Sequence, residues 1–164
     1  MSKKREFIRY MSRHLVALTG KRINKRKKAA TYFVYSGFVI KIRDEWFWAT
    51  AGHCVKQLNR WISAKRIQLS HVCFADFFGP NATSSDQIPF ELASESFSLD
   101  RKEYGLDFGL IHLTMECRKD LEVNGIEPIT RKHWIEPNKF EFETFKMLGR
   151  PNHLVKMIQS NQSC

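Results

Sequence analysis

Short runs of β-branched and aromatic residues, separated by turn residues, dominate the chain from Ala30 onward. The runs Thr31–Ile42 and Trp46–Ala51 flank the polar triplet Arg43-Asp44-Glu45, a pattern typical of a β-hairpin. Between residues 53 and 61 the apolar positions share one helical face, which predicts a short helix. Further strands are predicted at residues 66–78, 90–97, 106–113, 126–129, 140–148 and 154–158, and a polar loop at residues 81–89. Many short strands with little helix predict a mainly β domain, either a barrel or a sandwich.

The apolar positions follow a different period before this body. Apolar side chains at positions 7, 8, 11, 15 and 18 recur at helical spacing, and Gly20 follows where a helix C-cap would lie. We therefore expect one amphipathic helix over residues 4–19. A basic linker over Lys21–Lys28 would then connect it to the β body.

The positive charge of the chain is concentrated at its N-terminus. The formal net charge is +10, and residues 1–30 hold eleven Lys or Arg residues against the single acid Glu6. Residues 31–164 hold 16 basic and 16 acidic side chains and are formally neutral. Residues 3–28 therefore form a basic arm on a neutral body. Three interpretations stay open for this arm: a solvated helix packed on its own domain, contact with nucleic acid, or contact with an anionic membrane surface.

Composition and cysteine spacing narrow the class of protein. A chain of 164 residues with 43% hydrophobic and 13% aromatic side chains can bury one globular core. No apolar run approaches the length of a membrane span or of a secretory signal. The four Cys residues include no CxxC pair, so we expect free thiols, a cytoplasmic location, and neither a metal nor a cofactor. His71 and Cys73 would share one face of a predicted strand, but ordinary core or surface roles are favoured over metal binding.

Two short motifs carry the candidate chemistry. In the first, Ala49-Thr50-Ala51-Gly52-His53-Cys54, a small-residue turn places a single His at the start of the predicted helix. In the second, Gly105-Leu106-Asp107-Phe108-Gly109-Leu110-Ile111-His112-Leu113, a carboxylate lies at the mouth of an apolar strand. Burying that carboxylate is costly unless a partner pairs with it. An imidazole N–H is such a partner, and the pairing would orient the ring.

Together the two motifs resemble those of the trypsin-like (chymotrypsin-fold) serine peptidases. The first resembles the T-A-A-H-C motif around the family's general base, and Ser36-Gly37-Phe38-Val39-Ile40 resembles the G-S-G-F-V-I strand that precedes it. Asp107–Leu113 resembles the D-[IF]-A-L-[IL]-x-L strand that carries the triad acid. The resemblance implies a six-stranded antiparallel β-barrel in which His53 is the catalytic base and Asp107 orients it. Because no Cys stands near that first strand to pair with Cys54, the resemblance is to the disulfide-free branch of the family.

The family's nucleophile motif, G-[DN]-S-G-[GS], does not occur after Asp107. Ser160 and Ser163 lie in a segment without the glycines that shape the nucleophile turn. Residues 145–151 resemble the opening strand of the family's second barrel, so we expect the chain to include only the first strands of that barrel. The expected organisation is a basic helix and linker at residues 1–29, the N-terminal barrel at residues 30–135 and an incomplete second barrel at residues 136–164.

The predicted function follows from this resemblance. We expect the part of a trypsin-like serine endopeptidase that carries the His and the Asp, truncated before its nucleophile, with proteins or peptides as substrates. The alternative is an inactive pseudo-peptidase that serves as a binding or regulatory module, its arm at residues 3–28 contacting an anionic partner. An incomplete second barrel would leave an apolar face uncovered, which favours self-association.

Overall fold

Seven β-strands form one antiparallel sheet, which makes the described part of the protein mainly β. The structure, a computed structural model, describes residues 10–75, 87–90, 95–101 and 105–133. The strands are β1 (Leu15–Asn24), β2 (Ala29–Ile42), β3 (Glu45–Thr50), β4 (Ile67–Ala75), β5 (Gln87–Pro89), β6 (Ser96–Arg101) and β7 (Leu106–His112). Helix α1 (Gly52–Ser63) follows β3, helix α2 (Met115–Val123) follows β7, and a 3-10 turn covers Arg131–His133. The strand order across the sheet is β5-β4-β1-β2-β3-β7-β6.

Strand β1 lies inside the sheet, paired with β2 on one side and β4 on the other. The prediction of a helix over residues 4–19 is therefore wrong for Leu15–Thr19. A helical turn occupies residues 10–12, and residues 1–9 lie outside the described part. The physical reason is burial on both faces: no residue of Leu15–Leu18 is more than 5% exposed, so this strand needs apolar side chains at every position.

The basic linker predicted for Lys21–Lys28 is wrong as well, because this segment is the end of a hairpin. β1 and β2 pair along the whole length of β1. The Asn24 side chain accepts hydrogen bonds from the backbone N–H groups of Arg26 and Lys27 at 3.1 and 3.2 Å, which forms an Asx turn. The sheet thus extends before residue 30, where the sequence predicts the barrel to begin.

The other elements match the sequence pattern to different degrees. The β2–β3 hairpin, α1, β4 and β7 are confirmed. β5 occupies the end of the predicted polar loop, β6 begins only at the end of segment 90–97, and α2 is not foreseen by the pattern. Residues 126–129 contribute a single parallel bridge, from Ile129 to Ile40. The strands predicted at residues 140–148 and 154–158, and the domain at residues 136–164, lie outside the described residues.

The core is built around one aromatic side chain of β3. Trp48 is fully buried, and its ring lies 5.6 Å from that of Phe74 on β4. The indole covers Gly37 of β2, where a Cβ atom would come within 2.4 Å of Nε1. Nε1 donates to the carbonyl oxygen of Val16 on β1 at 3.4 Å. This one side chain therefore joins four strands.

Neither helix of the described part is long and apolar enough to cross a membrane.

A bulge in β4 separates His71 from Cys73. The pairing of β4 with β1 shifts register between Thr19 and Lys21, and His71 takes a positive φ of 51°. The His71 side chain is exposed, whereas Cys73 is 5% exposed and its Sγ lies 3.2 Å from Oγ1 of Thr19. The prediction that both side chains share one face is wrong, because the extra residue of the bulge interrupts the alternation of the strand.

A cluster of charged side chains fixes α2 to the β2–β3 turn. Glu45 Oε2 accepts hydrogen bonds from His112 Nε2 at 2.8 Å and from the Arg118 guanidinium. Arg118 also donates to the carbonyl oxygens of Leu113 and Asp44, at 2.9 and 3.1 Å. The hydrogen bonds from His112 and Arg118 lower the pKa of the Glu45 carboxyl below its ordinary value.

Deleting residues 1–28 should unfold the sheet, because it removes β1 from between β2 and β4. Burying Leu15, Val16 and Leu18 contributes roughly 1.5–3 kcal/mol each, and the sum is comparable with a whole domain's stability of about 5–15 kcal/mol. Circular dichroism should show loss of the β signal and of a cooperative melt. Replacing Lys25–Lys28 by Gln removes four of the eleven deleted cations while keeping β1, and should keep the β signal. A deletion that kept the β signal would contradict the internal position of β1.

Glu45→Gln should lower the thermal midpoint at neutral pH. The folded-state pKa of Glu45 is depressed, so its stabilising effect is present above the unfolded value, near 4.5, and is lost as pH falls through the folded value. We therefore expect the difference from wild type to be largest near neutrality and to vanish in strong acid. Calorimetry at both pH values measures it. Glu122→Gln, an exposed position at the other end of α2, should change the midpoint little at either pH; equal effects of the two substitutions would contradict the cluster.

Candidate active site

The register of two paired strands brings the two sequence motifs together. β3 and β7 are antiparallel and Thr50 lies opposite Gly109, so the end of β3 is beside the start of β7. After Thr50 the chain turns through Ala51 directly into α1, which places His53 in the first turn of the helix. Asp107, two residues before Gly109 on β7, lies next to that turn. The structure thus brings together the two residues that the motifs single out.

The Asp107 carboxylate holds the His53 ring and caps α1 at the same time. Oδ2 lies 2.5 Å from His53 Nδ1, and Oδ1 accepts the backbone N–H of His53 at 2.9 Å. The helix has no side-chain cap of its own, since Ala51 stands at the N-cap position. A carboxylate from the neighbouring strand supplies that acceptor and complements the positive end of the helix dipole.

The protonation state of the pair follows from these bonds. The hydrogen bond from the His53 side chain lowers the pKa of Asp107 most, followed by the bond from the His53 backbone and a smaller one from the backbone of Gly52. The carboxylate is therefore ionised at neutral pH and can only accept hydrogen bonds. In the neutral imidazole, Nδ1 is then the nitrogen that carries the proton, and Nε2 has the lone pair. This tautomer is the one in which an imidazole acts as a general base.

Two glycines let α1 approach the sheet closely enough for this contact. A Cβ atom on Gly52 would lie 2.4 Å from the Leu99 carbonyl oxygen and 2.7 Å from that of Phe108. A Cβ atom on Gly109 would lie 2.4 Å from Cγ2 of Val55. Either added side chain would push the start of the helix away from β6 and β7. The hydrogen bonds to the carboxylate would then be lost.

The imidazole of His53 is largely exposed, with the Cys54 thiol beside its second nitrogen, Nε2. The His53 side chain is 65% exposed, and Cys54 Sγ lies 3.5 Å from Nε2. Burial, together with the negative charge of Asp107, raises the pKa of the Cys54 thiol to about 11. Cys54 is 7% exposed and stays protonated at neutral pH, so it presents no thiolate to a substrate. Nε2 can accept a proton from an approaching group once its contact with this thiol opens.

Exposed apolar side chains occupy the face of β6 and β7 opposite to the Asp107 side chain. Phe97 on β6 and Phe108 on β7 are 54% and 41% exposed, and their ring centroids lie 6.0 Å apart. Leu106, next to Asp107, is 44% exposed. The start of β7 is therefore an open apolar margin, the kind of surface to which a peptide or a further protein surface binds.

Within the described residues, the other candidates that the sequence singles out form no metal site. Among residues 10–75, 87–90, 95–101 and 105–133, no three His, Cys, Asp or Glu side chains form a group that could hold a metal ion. Cys54, Cys73 and Cys117 are free and buried. Ser160, Ser163 and Cys164 lie outside the described residues.

Sequence reasoning missed that Asp107 also caps α1. The signal that could have revealed it is Ala51, because a helix whose N-cap residue has no polar side chain needs acceptors from elsewhere.

Comparison with known proteins identifies no relative: no family model, no curated protein and no solved structure matches this chain. The assignment of the site therefore depends on its own residues and geometry.

Asp107→Asn and Asp107→Ala should separate the two roles of the carboxylate. Asn keeps an oxygen for the backbone N–H groups but presents an N–H to Nδ1, so the His53 proton should move to Nε2. Ala removes both bonds and should also cost about 1 kcal/mol of stability through the lost cap. Nitrogen-edited NMR reads the tautomer, and thermal melts read the stability.

Asp44→Asn provides the matched control, since the Asp44 side chain is 99% exposed. It should leave the His53 tautomer unchanged. The same His53 tautomer in wild type and Asp107→Asn would contradict the hydrogen-bond assignment.

Proposed function

We propose that this chain supplies the general base, His53, and the orienting acid, Asp107, of a trypsin-like serine endopeptidase. The observation that carries the proposal is their contact: Nδ1 is held on an ionised carboxylate at 2.5 Å, and the His53 side chain is 65% exposed. A second bond, from the His53 backbone to the same carboxylate, prevents the ring and the acid from separating. The order of the motifs, base before acid, agrees with the family that they resemble.

The curvature of the sheet supports a six-stranded barrel as the fold of this part. β5 and β6 are the two edges of the sheet, yet only residues 90–95 separate them along the chain. That connection reaches about 25 Å at most, whereas the outer strands of a flat seven-stranded sheet lie about 29 Å apart. α1 packs against β4 as well as β6 and β7, so the two halves of the sheet wrap around one helix. If β5 and β6 occupy the same place in the sheet, one after the other, the sheet closes into a barrel of six strands.

In the proposed reaction, His53 Nε2 takes the proton from a serine hydroxyl as its oxygen attacks the peptide carbonyl. Asp107 stabilises the imidazolium that forms and keeps the ring oriented. Nε2 then gives the proton to the leaving amine, and a water molecule releases the acyl group by the same steps. The proposal assigns the serine and the oxyanion donors to another segment or chain, since the sequence has no G-[DN]-S-G-[GS] motif.

A pseudo-peptidase is the second candidate, favoured by the absence of that motif from the sequence. In this case the barrel is a binding module, and the exposed margin of Phe97, Leu106 and Phe108 is the surface through which it binds a partner or a second copy. For either function we propose a cytoplasmic location, which the buried free thiols of Cys54 and Cys73 support.

Labelling with a fluorophosphonate probe tests the peptidase proposal. The 164-residue chain alone should not label, because the probe requires an activated serine. Coexpression with the following reading frame, or with a partner that carries a Gly-x-Ser-Gly sequence, should give labelling. His53→Ala should then slow labelling by roughly 10²–10⁴-fold, the usual contribution of a general base.

His112→Ala is the matched control, since His112 is also paired with a carboxylate but lies at the other end of β7. It should label like wild type. Labelling that His53→Ala leaves unchanged would refute the base assignment. If no coexpression with a serine-bearing segment gives labelling, the pseudo-peptidase is the function that the results favour.

A further inference from the structure

Two basic segments that are distant in sequence lie side by side at one end of the sheet. The turn Lys25–Lys28 is exposed throughout, and the connection between α1 and β4 contributes the exposed residues Lys65 and Arg66. The backbone N–H of Lys25 donates to the Arg66 carbonyl oxygen at 2.9 Å, which joins the two segments directly. We call these six residues the basic tip.

The turn of the basic tip is held in one conformation. Asn24 Oδ1 accepts the backbone N–H groups of Arg26 and Lys27, and Lys28 closes the turn with a positive φ of 48°. A preformed turn presents its cations at a lower ordering cost than a disordered basic segment would incur on binding. The tip is therefore built as a surface rather than as a flexible arm.

Within the described part of the chain, no carboxylate pairs with these cations. The sequence has no Asp or Glu from Phe7 to Arg43 or from Trp46 to Ala75. Within the described residues, the six cations of the basic tip form no ion pair, whereas Arg13, Lys41 and Arg118 each do. Like charges gathered in this way repel one another, and binding a polyanion relieves that repulsion.

Two aromatic rings flank the basic tip, each beside a further cation. Lys21 Nζ lies 5.7 Å from the centroid of the Tyr32 ring, which is 47% exposed. Arg22 Cζ lies 5.1 Å from the Trp61 ring, which stacks on Tyr35 with an interplanar angle of 22°. Lys21 and Tyr32 are cross-strand partners in the β1–β2 hairpin, so this exposed ring lies on the same hairpin as the turn.

We propose that the basic tip binds single-stranded nucleic acid, with Tyr32 as a stacking platform. A site that binds single strands of any sequence has two parts: cations that contact successive phosphates, and an exposed ring on which a base can stack. An anionic membrane fits less well, because Ala29 and Ala30 are the only apolar residues from Asn24 to Thr31. The turn itself therefore carries no bulky side chain that could enter the acyl region. This binding goes beyond the proposed peptidase and does not depend on it.

The test is a fluorescence-anisotropy titration of the whole chain with a short labelled single strand of mixed sequence, repeated at several salt concentrations. The test variant replaces Lys25, Arg26, Lys27 and Lys28 by Gln. Each lost phosphate contact should flatten the slope of log Kd against log salt by about 0.7, so four should flatten it by roughly 3. We expect affinity at about 0.1 M salt to fall roughly tenfold or more, with the circular-dichroism spectrum unchanged.

A matched control removes the same charge from the other end of the molecule. Arg43 follows β2 directly, at the end opposite the turn Lys25–Lys28, and β2 is 14 residues long. The control variant carries four Gln substitutions, at Arg43, Lys119, Arg131 and Lys132. These positions lie well beyond a Debye length of about 10 Å from the tip, so affinity should stay within about twofold of wild type.

Tyr32 separates stacking from charge. Tyr32→Ala should weaken binding of the single strand about fivefold or more, whereas Tyr32→Phe should retain wild-type affinity. Equal losses in the two four-residue variants would overturn the assignment to the basic tip. Two results would overturn the assignment to single strands. One is wild-type affinity in the Tyr32→Ala variant. The other is that the wild-type chain binds heparin, duplex or phosphatidylserine vesicles as tightly as it binds the single strand.

Measuring the same titrations in a His53→Ala background keeps this proposal distinct from the peptidase. Affinity for the single strand should be unchanged in that background, because His53 lies at the opposite end of α1 from Lys65. Loss of binding with His53→Ala would contradict the location at the basic tip. Failure to bind nucleic acid in every variant would refute this inference and leave the labelling experiment unaffected.

Discussion

The Asp107 carboxylate is the group on which the candidate site depends, because one side chain serves a helix and an imidazole together. Oδ1 satisfies the backbone N–H of His53 at the start of α1, and Oδ2 holds the ring of the same residue. Both bonds favour the ionised carboxylate. A side chain that is 65% exposed would ordinarily sample several rotamers. Here the requirement to cap a helix keeps the acid in place, and the acid keeps the ring in place.

The pair was predictable from sequence because each partner lies in a short motif with distinctive neighbours, and because strands β3 and β7 follow the expected pattern. The position of β1 was not predictable in the same way. A strand buried on both faces loses the alternation of apolar and polar residues, so the run Leu15–Leu18 fits a helical period as well as an extended one. Only the pairing with β2 and β4, which is set by distant residues, decides between them.

Contacts between distant segments account for the other differences. The bulge at His71 depends on the register between β4 and β1, and no local signal marks it. The basic charge near the N-terminus was visible in the sequence, but its neighbours were not. Lys65 and Arg66 join it only because the hairpin turn lies against the end of α1. Aromatic partners for the charge come from β2 and α1 once the arm is recognised as a hairpin.

Helix α1 sets the relation between the two proposed surfaces. Its first turn carries His53, and Lys65 follows shortly after its last residue, Ser63. Twelve residues of helix span about 18 Å, roughly twice the Debye length at physiological ionic strength. The charge of a phosphate on the basic tip would therefore be largely screened at His53. The acids of the β2–β3 turn, Asp44 and Glu45, lie at the opposite end of β2, where each is paired with a cation or an imidazole. The two proposed surfaces thus lie at opposite ends of one helix, so a ligand bound at the basic tip leaves the His53 ring uncovered.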